Sequence, residues 1–260
     1  MKLVTFAVDG GEHVGALLDD GSTIADFTAS DSSPWARDLL ALSDGGEPAL
    51  AAARALADKP RTTVQLNAVK LRAPLPEPRQ MRDFLSFEKH VRQARAHRYL
   101  FGVQGATRDP AKVEIPPIWY QQPIYYKCNR FAVIGHGEDI CWPSFSSMMD
   151  YELEFGIVLG RNAKNVRRED ARAYIFGYTI FNDVSARDVQ IAEMASQLGP
   201  CKGKDFDTSN VLGPWLVTAD EISDPYNLTM VVRVNGEERG RGSSSDMRFR
   251  FEDFIAHVSR

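Results

Sequence analysis

The stretch Met149-Asp150-Tyr151-Glu152-Leu153-Glu154-Phe155-Gly156-Ile157-Val158-Leu159 constrains this chain more than any other. Its apolar and aromatic residues, closed by Gly160, read as a buried strand. Glu152 and Glu154 stand two apart in it, and side chains alternate across a strand, so both carboxylates face one side. Like charges held that close repel, and burial strips their hydration. A chain can carry such a pair in two ways. Either the strand has one wet face, where polar alternation costs little, or a cation sits between the carboxylates. The stretch by itself fits both.

Composition narrows the classes. A chain of 260 residues can bury a full core as one large domain, or as one domain with a small appendage. With 43% apolar and 25% charged residues it has the balance of a soluble globular protein. A net charge of −4 without a long basic run excludes nucleic-acid binding driven by phosphate neutralisation. No apolar run reaches membrane-spanning length, and the N-terminus meets Asp9 too soon for a signal peptide. Cys128, Cys141 and Cys201 lack Cys-x-x-Cys spacing, which fits a reducing cytoplasm rather than a disulfide scaffold or a zinc site. The expectation is a cytoplasmic protein with neither nucleic-acid nor membrane partners.

Residues 1–30 alternate short strands with turns at Asp9-Gly10-Gly11 and Asp20-Gly21, a hairpin signal. His13 in this meander reads as a surface residue. Helical segments follow at 34–42 and 49–57, and strand character returns at 63–71. Pro74, Pro76 and Pro78 then make a stiff connector. The division expected is a small N-terminal domain at 1–72, a connector at 73–80 and a larger domain at 81–260. Residues 81–95 read as a helix with Asp83 at its N-cap, which puts Asp83 and His90, seven apart, near one face. Taken alone, that is a capping acid and a solvated histidine. Residues 101–125 form a long Gly/Pro-rich loop of the kind used as lids or contacts. A second buried strand, 174–181, runs into Asn182-Asp183, and Ser185 with Asp188 has capping-box spacing, so a helix is expected from Ser185. Arg187 and Gln190 share a face of that helix. The glycines of the 199–208 loop do not match a phosphate-binding spacing. A strand at 211–218, a hairpin around Asn235-Gly236 and a helix at 249–258 complete the chain.

Asp83, Glu152, Glu154 and Asp183 together offer hard oxygen ligands suited to Mg²⁺, Mn²⁺ or Ca²⁺. In such a site His90 is a candidate general base, and Arg187, Gln190 and Lys204 are donors for a developing oxyanion or enolate.

Four segments then stand in order: Asp83-Phe84 with His90; Asp150-Tyr151-Glu152-Leu153-Glu154; Phe181-Asn182-Asp183-Val184-Ser185-Ala186-Arg187-Asp188-Val189-Gln190; and Gly203-Lys204-Asp205-Phe206. In this order and spacing they resemble the fumarylacetoacetate hydrolase family, from about Asp83 onward. The Asp83…His90 spacing resembles the fumarylacetoacetase-like branch; other branches have a His followed closely by Glu and lack the Asp. The resemblance implies an α+β, mostly β fold, the family's mixed β-sandwich roll behind a small N-terminal α+β domain, in a homodimer. It implies a divalent cation on Asp83, Glu152, Glu154 and Asp183, with Mg²⁺ foremost. His90 is then the group that activates water, and Arg187, Gln190 and Lys204 stabilise negative charge. Tyr126 and Thr208 are implied at the substrate with them.

The activity implied is hydrolysis of a C–C bond in a fumarylacetoacetate- or acylpyruvate-like 1,3-dicarbonyl acid, in catabolism of an aromatic compound. A 2-oxo-acid decarboxylase, isomerase or hydratase of the same family is the alternative within the class. A non-catalytic, metal-stabilised dimeric protein is the alternative outside it. The family fold also continues past the helix at 249–258, with further strands, a Gly-Thr-containing loop and an acid that partners the histidine. The sequence stops at Arg260, so two expectations stand: either it continues beyond that residue or the protein lacks those parts. Glu88, two positions from His90 on a helix, points elsewhere and is a poor substitute.

Overall fold

The hairpin signals at the start of the chain become strands of the main sheet. The computed structural model describes every residue except Asp9. Asp9, the first residue of the expected Asp9-Gly10-Gly11 turn, therefore lies outside the described residues. On either side of it, Lys2–Val8 and Gly11–Leu17 pair antiparallel from Lys2↔Leu17 to Val8↔Gly11. Thr23–Asp26 and Thr63–Gln65 extend the sheet on that side. On the other side Asn210–Thr218 joins through Lys2↔Val217 and Leu3↔Leu216, followed by Ile175–Asp183 and, at the edge, Glu154–Leu159. Lys70–Leu71 and the parallel strand Val133–Ile134 bring the sheet to nine strands among the described residues. The architecture is α+β and mostly β, and strands from both sides of the proline connector belong to this one sheet.

Two of its apolar cores are closed by helices. Helices Leu39–Asp44 and Gly46–Asp58 press Leu39, Leu42, Ala49 and Ala53 onto Leu3, Val14, Phe27 and Leu216. The final helix, Phe251–Val258, presses Phe251, Phe254 and Ile255 against Ile175, Tyr178 and Tyr226. Phe155 stacks on Tyr178 at 5.4 Å and meets Phe251 edge-on at 5.3 Å, which fixes the edge strand against the sheet. Between the two central strands there is no room for a side chain at Gly177, where a Cβ would fall 2.5 Å from the Val217 carbonyl oxygen.

Four sequence expectations are corrected. Residues 81–95 are not one helix: Arg82–Phe84 is a strand paired with Tyr125–Lys127, Asp83 opposite Tyr126, and the helix is Glu88–Ala96 with Phe87 at its N-cap. The reason is packing, because Phe84 stacks on Phe254 at 4.1 Å and so buries a ring that a helix start would leave outside. Ser185 does not cap a helix. Ser185–Ala186 pairs with Met149–Asp150, and the helix runs Arg187–Met194. Asp188 instead accepts from the Ser146 hydroxyl at 2.6 Å and the Ser147 amide at 2.9 Å. The acidic stretch is a half-buried edge strand, Glu154–Leu159, preceded by the short strand Met149–Asp150, with Glu152 in the irregular link between them. His13 is half-buried, its Nδ1 2.8 Å from Asp26 Oδ2, an acid that also caps the helix Phe27–Ser30.

Candidate active site

Strand pairing gathers the acids. Glu154 lies opposite Phe181, and Asp183 follows two residues later at the buried end of the same strand. The Glu152 amide donates to Asn182 Oδ1 at 2.9 Å, which holds the irregular link against that strand. Asp83 arrives from the other side on Arg82–Phe84. One oxygen from each of Asp83, Glu152, Glu154 and Asp183 lies within 4.8 Å of all the others. The two readings left open for Glu152 and Glu154 are thereby narrowed, since both carboxylates belong to a half-buried cluster of four converging acids and not to a plain polar strand face.

Cations balance the cluster. Lys204, only 3% exposed, sets Nζ 2.5 Å from Asp183 Oδ2 and 2.7 Å from Glu152 Oε1. Arg187 Nη1 reaches Glu152 Oε1 at 2.6 Å, while its Nε and Nη2 clasp Asp150 Oδ2 at 2.9 and 2.8 Å. Gln190 Oε1 accepts from Arg187 Nη1 at 3.0 Å. Tyr126 donates its hydroxyl to Asp183 Oδ2 at 2.5 Å, and Ser185 Oγ donates to Glu152 Oε1 at 3.2 Å.

The charges divide the four acids. Burial works against the Glu152 carboxylate, but Lys204 and Arg187 overcome it and hold Glu152 well below the usual range. Burial pushes Asp83 up to about 7, Lys204 opposing and the Asp183 and Glu152 charges adding to the rise. Glu154 is raised well above its ordinary value by burial and then by Asp83 and Glu152. Asp183 is raised by burial, partly offset by Lys204. Burial lowers Lys204, yet Glu152 and Asp183 more than reverse this and keep it an ammonium. His90, in the first turn of Glu88–Ala96, has its pKa lowered by burial; Glu152 raises it, and Arg187 and Lys204 depress it further.

The donors fit a hard divalent cation. Asp183 Oδ1 is buried and has no hydrogen-bond partner among the described residues. A buried carboxylate oxygen in that state is costly unless a cation meets it. Four converging carboxylates are the donor set expected of Mg²⁺, Mn²⁺ or Ca²⁺. Asp83, His90, Tyr126, Glu152, Glu154, Arg187, Gln190 and Lys204 all line one broad cleft of about 2100 Å³. Thr208 is placed apart from it, in a left-handed conformation (φ 69°), its hydroxyl accepting the Cys141 amide at 2.8 Å. Sequence reasoning missed Asp150, Asn182 and Ser185. For Asp150 a signal existed, since Asp150, Glu152 and Glu154 continue one alternation.

Residues 80–260 match the family model described as fumarylacetoacetate (FAA) hydrolase C-terminal, and the chain belongs to that family. It is 32% identical over 265 residues to "oxaloacetate tautomerase fahd2, mitochondrial" of Xenopus laevis, across 100% of this chain and 75% of that protein. It is 30% identical over 274 residues to oxaloacetate tautomerase YisK of Bacillus subtilis (strain 168), across 100% of this chain and 84% of that one. Its fold is similar to the crystal structure of maleylpyruvate hydrolase from Sphingobium sp. SYK-6 in complex with manganese(II) ion and pyruvate. The TM-score is 0.73 at 24% identity, over 100% of this chain and 83% of that one. No helix among the described residues is long and apolar enough to cross a membrane.

Proposed function

We propose that the chain is a divalent-cation-dependent enzyme of enol chemistry on small 2-oxo acids, and that its reaction is the keto–enol tautomerisation of an oxaloacetate-like substrate. The observation that carries this reading is the convergence of four carboxylates, three lining a cleft and the fourth, Asp183, buried behind it with an orphaned oxygen, where the cleft also holds Lys204, Arg187 and a neutral-leaning His90. The similarity to oxaloacetate tautomerases at 32% and 30% identity supports the choice of substrate class. Asp83, Glu152, Glu154 and Asp183 would hold the cation, which, when bound, polarises the oxygens of a 2-oxo acid. His90, kept neutral by burial, is suited to take a proton from the carbon beside the ketone, and the imidazolium so formed can return that proton to the enolate oxygen, which gives the enol and restores the neutral ring. Arg187 and Lys204 offset the negative charge that develops on oxygen, and Gln190 fixes the Arg187 fork. Tyr126, with its proton committed to Asp183, orients that carboxylate.

C–C bond hydrolysis, the activity expected from the sequence, uses the same enolate as its leaving group and is the second reading. Both make a single assay set decisive. Relaxation of enol to keto oxaloacetate is followed by ultraviolet absorbance, and cleavage of an acylpyruvate panel by product analysis, each with Mn²⁺ or Mg²⁺ and with chelator. Chelator-sensitive acceleration of the tautomerisation, lost in His90→Ala with unchanged melting, supports the proposal. Cleavage of an acylpyruvate without tautomerase activity turns it to the hydrolase. No reaction with either, when calorimetry shows the cation bound, sinks both and favours a non-catalytic metal-stabilised protein.

A further inference from the structure

We propose that Glu193 is the positioning residue that aims Lys204 into the carboxylate cluster. Arg187, Gln190 and Glu193 recur every third residue along the helix Arg187–Met194 and so run down one face of it. The first two turn toward the cluster, through Glu152 and through each other. Glu193 does not. It sits one residue from the helix end, where the exposed carbonyl groups make a negative charge unfavourable.

Its partners account for it. Glu193 Oε1 accepts the Lys202 amide at 2.9 Å, and Oε2 accepts the Gly203 and Cys201 amides at 3.0 and 3.3 Å. Three successive backbone N–H groups converging on one carboxylate form an anion-binding nest, here filled from within the chain. The short helical turn Lys202–Lys204 is thereby pinned to the longer helix. The contact is tight: at Gly203 a Cβ would fall 2.6 Å from the Gln190 nitrogen and 2.7 Å from its Cα. One residue further on, Lys204 Nζ makes its contacts at 2.5 and 2.7 Å to Asp183 and Glu152. Beyond the turn, Ser209 Oγ donates to the Lys204 carbonyl at 3.2 Å, a weaker hold. A turn released from Glu193 can slide along the helix, and contacts as short as those of Nζ tolerate little sliding.

The kinetic part of this proposal rests on the role given to Lys204 above; its structural part does not. Glu193→Ala, Glu193→Gln and Glu193→Asp are therefore compared with wild type, in the full chain, by two readouts. One is the rate at which an amine-reactive reagent modifies Lys204, read by peptide mass spectrometry. The other is kcat and KM for oxaloacetate tautomerisation. In Glu193→Ala, Lys204 is expected to label severalfold faster, and kcat to fall by up to about a hundredfold with a smaller change in KM, as for a charge-stabilising group displaced by about an ångström. Glu193→Gln keeps one acceptor oxygen for the Cys201 and Gly203 amides but turns an NH2 donor toward the Lys202 amide, and is expected to recover part of both. Labelling of Lys204 at the wild-type rate in Glu193→Ala with unchanged melting overturns the proposal, as does an equal loss in Ala and Gln variants that melt early. If Glu193→Ala does not fold, Glu193→Asp decides, because its shortened carboxylate must still speed labelling of Lys204. If the wild type shows no tautomerase activity, the functional reading fails while the labelling result stands.

Discussion

Lys204 carries more of the cluster's balance than any other single residue. It is buried against Asp183 and Glu152, and both of those acids sit out of water. Removing one partner from a buried ion pair leaves the other charge uncompensated. Lys204→Met, nearly isosteric, is therefore expected to cost about 3–5 kcal/mol in chelator, measured by urea denaturation. Saturating Mn²⁺ should restore most of that loss, because a cation on the same carboxylates replaces the missing positive charge. A variant within about 1 kcal/mol of wild type in chelator would show that the acids simply take up protons instead. At this scale the sequence was informative where residue identity alone carries the chemistry. The two-residue spacing of Glu152 and Glu154 marked a charged face, and Asp183 stood at a strand end where functional carboxylates gather. Glu193 was not legible, because its partners are backbone amides, which every residue other than proline has. Nor was Ser185, whose capping-box spacing pointed to a helix start while its hydroxyl serves Glu152 and the Asp183 carbonyl.

Elements were legible where the pairing partner is close in sequence. The Asp20-Gly21 and Asn235-Gly236 turns gave the right neighbours for Gly11–Leu17 and Thr229–Val234. The strand Arg82–Phe84 was not, because its partner Tyr125–Lys127 lies some forty residues away and three residues show no period of their own. What fixes that strand is its apolar side. Phe84, on the opposite face from Asp83, stacks on Phe254 and lies 5.1 Å from the Tyr125 ring. The neighbouring Leu85 amide donates to the Ile124 carbonyl, and the Trp119 indole donates to the Leu85 carbonyl. Asp83 is thus presented to the cluster by packing on its strand's other face. Phe84→Ala should cost about 2–4 kcal/mol, somewhat below the range for a fully buried ring. It should also weaken Mn²⁺ binding measured by titration calorimetry, since Asp83 loses its support. Leu85→Ala, at a side chain 37% exposed, should stay within about 0.5 kcal/mol and leave the affinity alone. If Phe84→Ala binds Mn²⁺ as wild type does, Asp83 is either self-supporting or not a ligand.

For the whole molecule, the cluster ties stability to pH and to the cation at once. Burial raises Asp83 to about 7, and Glu154 and Asp183 are also raised. In the unfolded chain these carboxyls ionise near pH 4, roughly their ordinary value. Between about pH 4 and about pH 7 the cation-free folded protein therefore binds more protons than the unfolded chain, and its stability falls as pH rises. Glu152 is shifted the other way, so its contribution is present above the ordinary carboxylate range and is lost only at lower pH, outside this window. His90, lowered by burial, adds an opposing slope up to about pH 6.5, and a cation bound at the cluster whose charges it senses would lower it further, which favours the cation-bound protein in the same direction as pH rises. A bound cation displaces the same protons and removes the penalty of ionising Asp83 and Glu154. The gap in Tm between Mn²⁺-saturated and chelator-treated protein should therefore be wider at pH 8 than at pH 5, as read by differential scanning calorimetry. Calorimetric titration at pH 6 in two buffers of different ionisation enthalpy should also show protons released on binding. A Tm gap of equal width at both pH values, with no proton release, would mean that cation and protons do not compete for these carboxylates. The strand pairing that brings Asp83, Glu152, Glu154 and Asp183 together would then serve the fold alone.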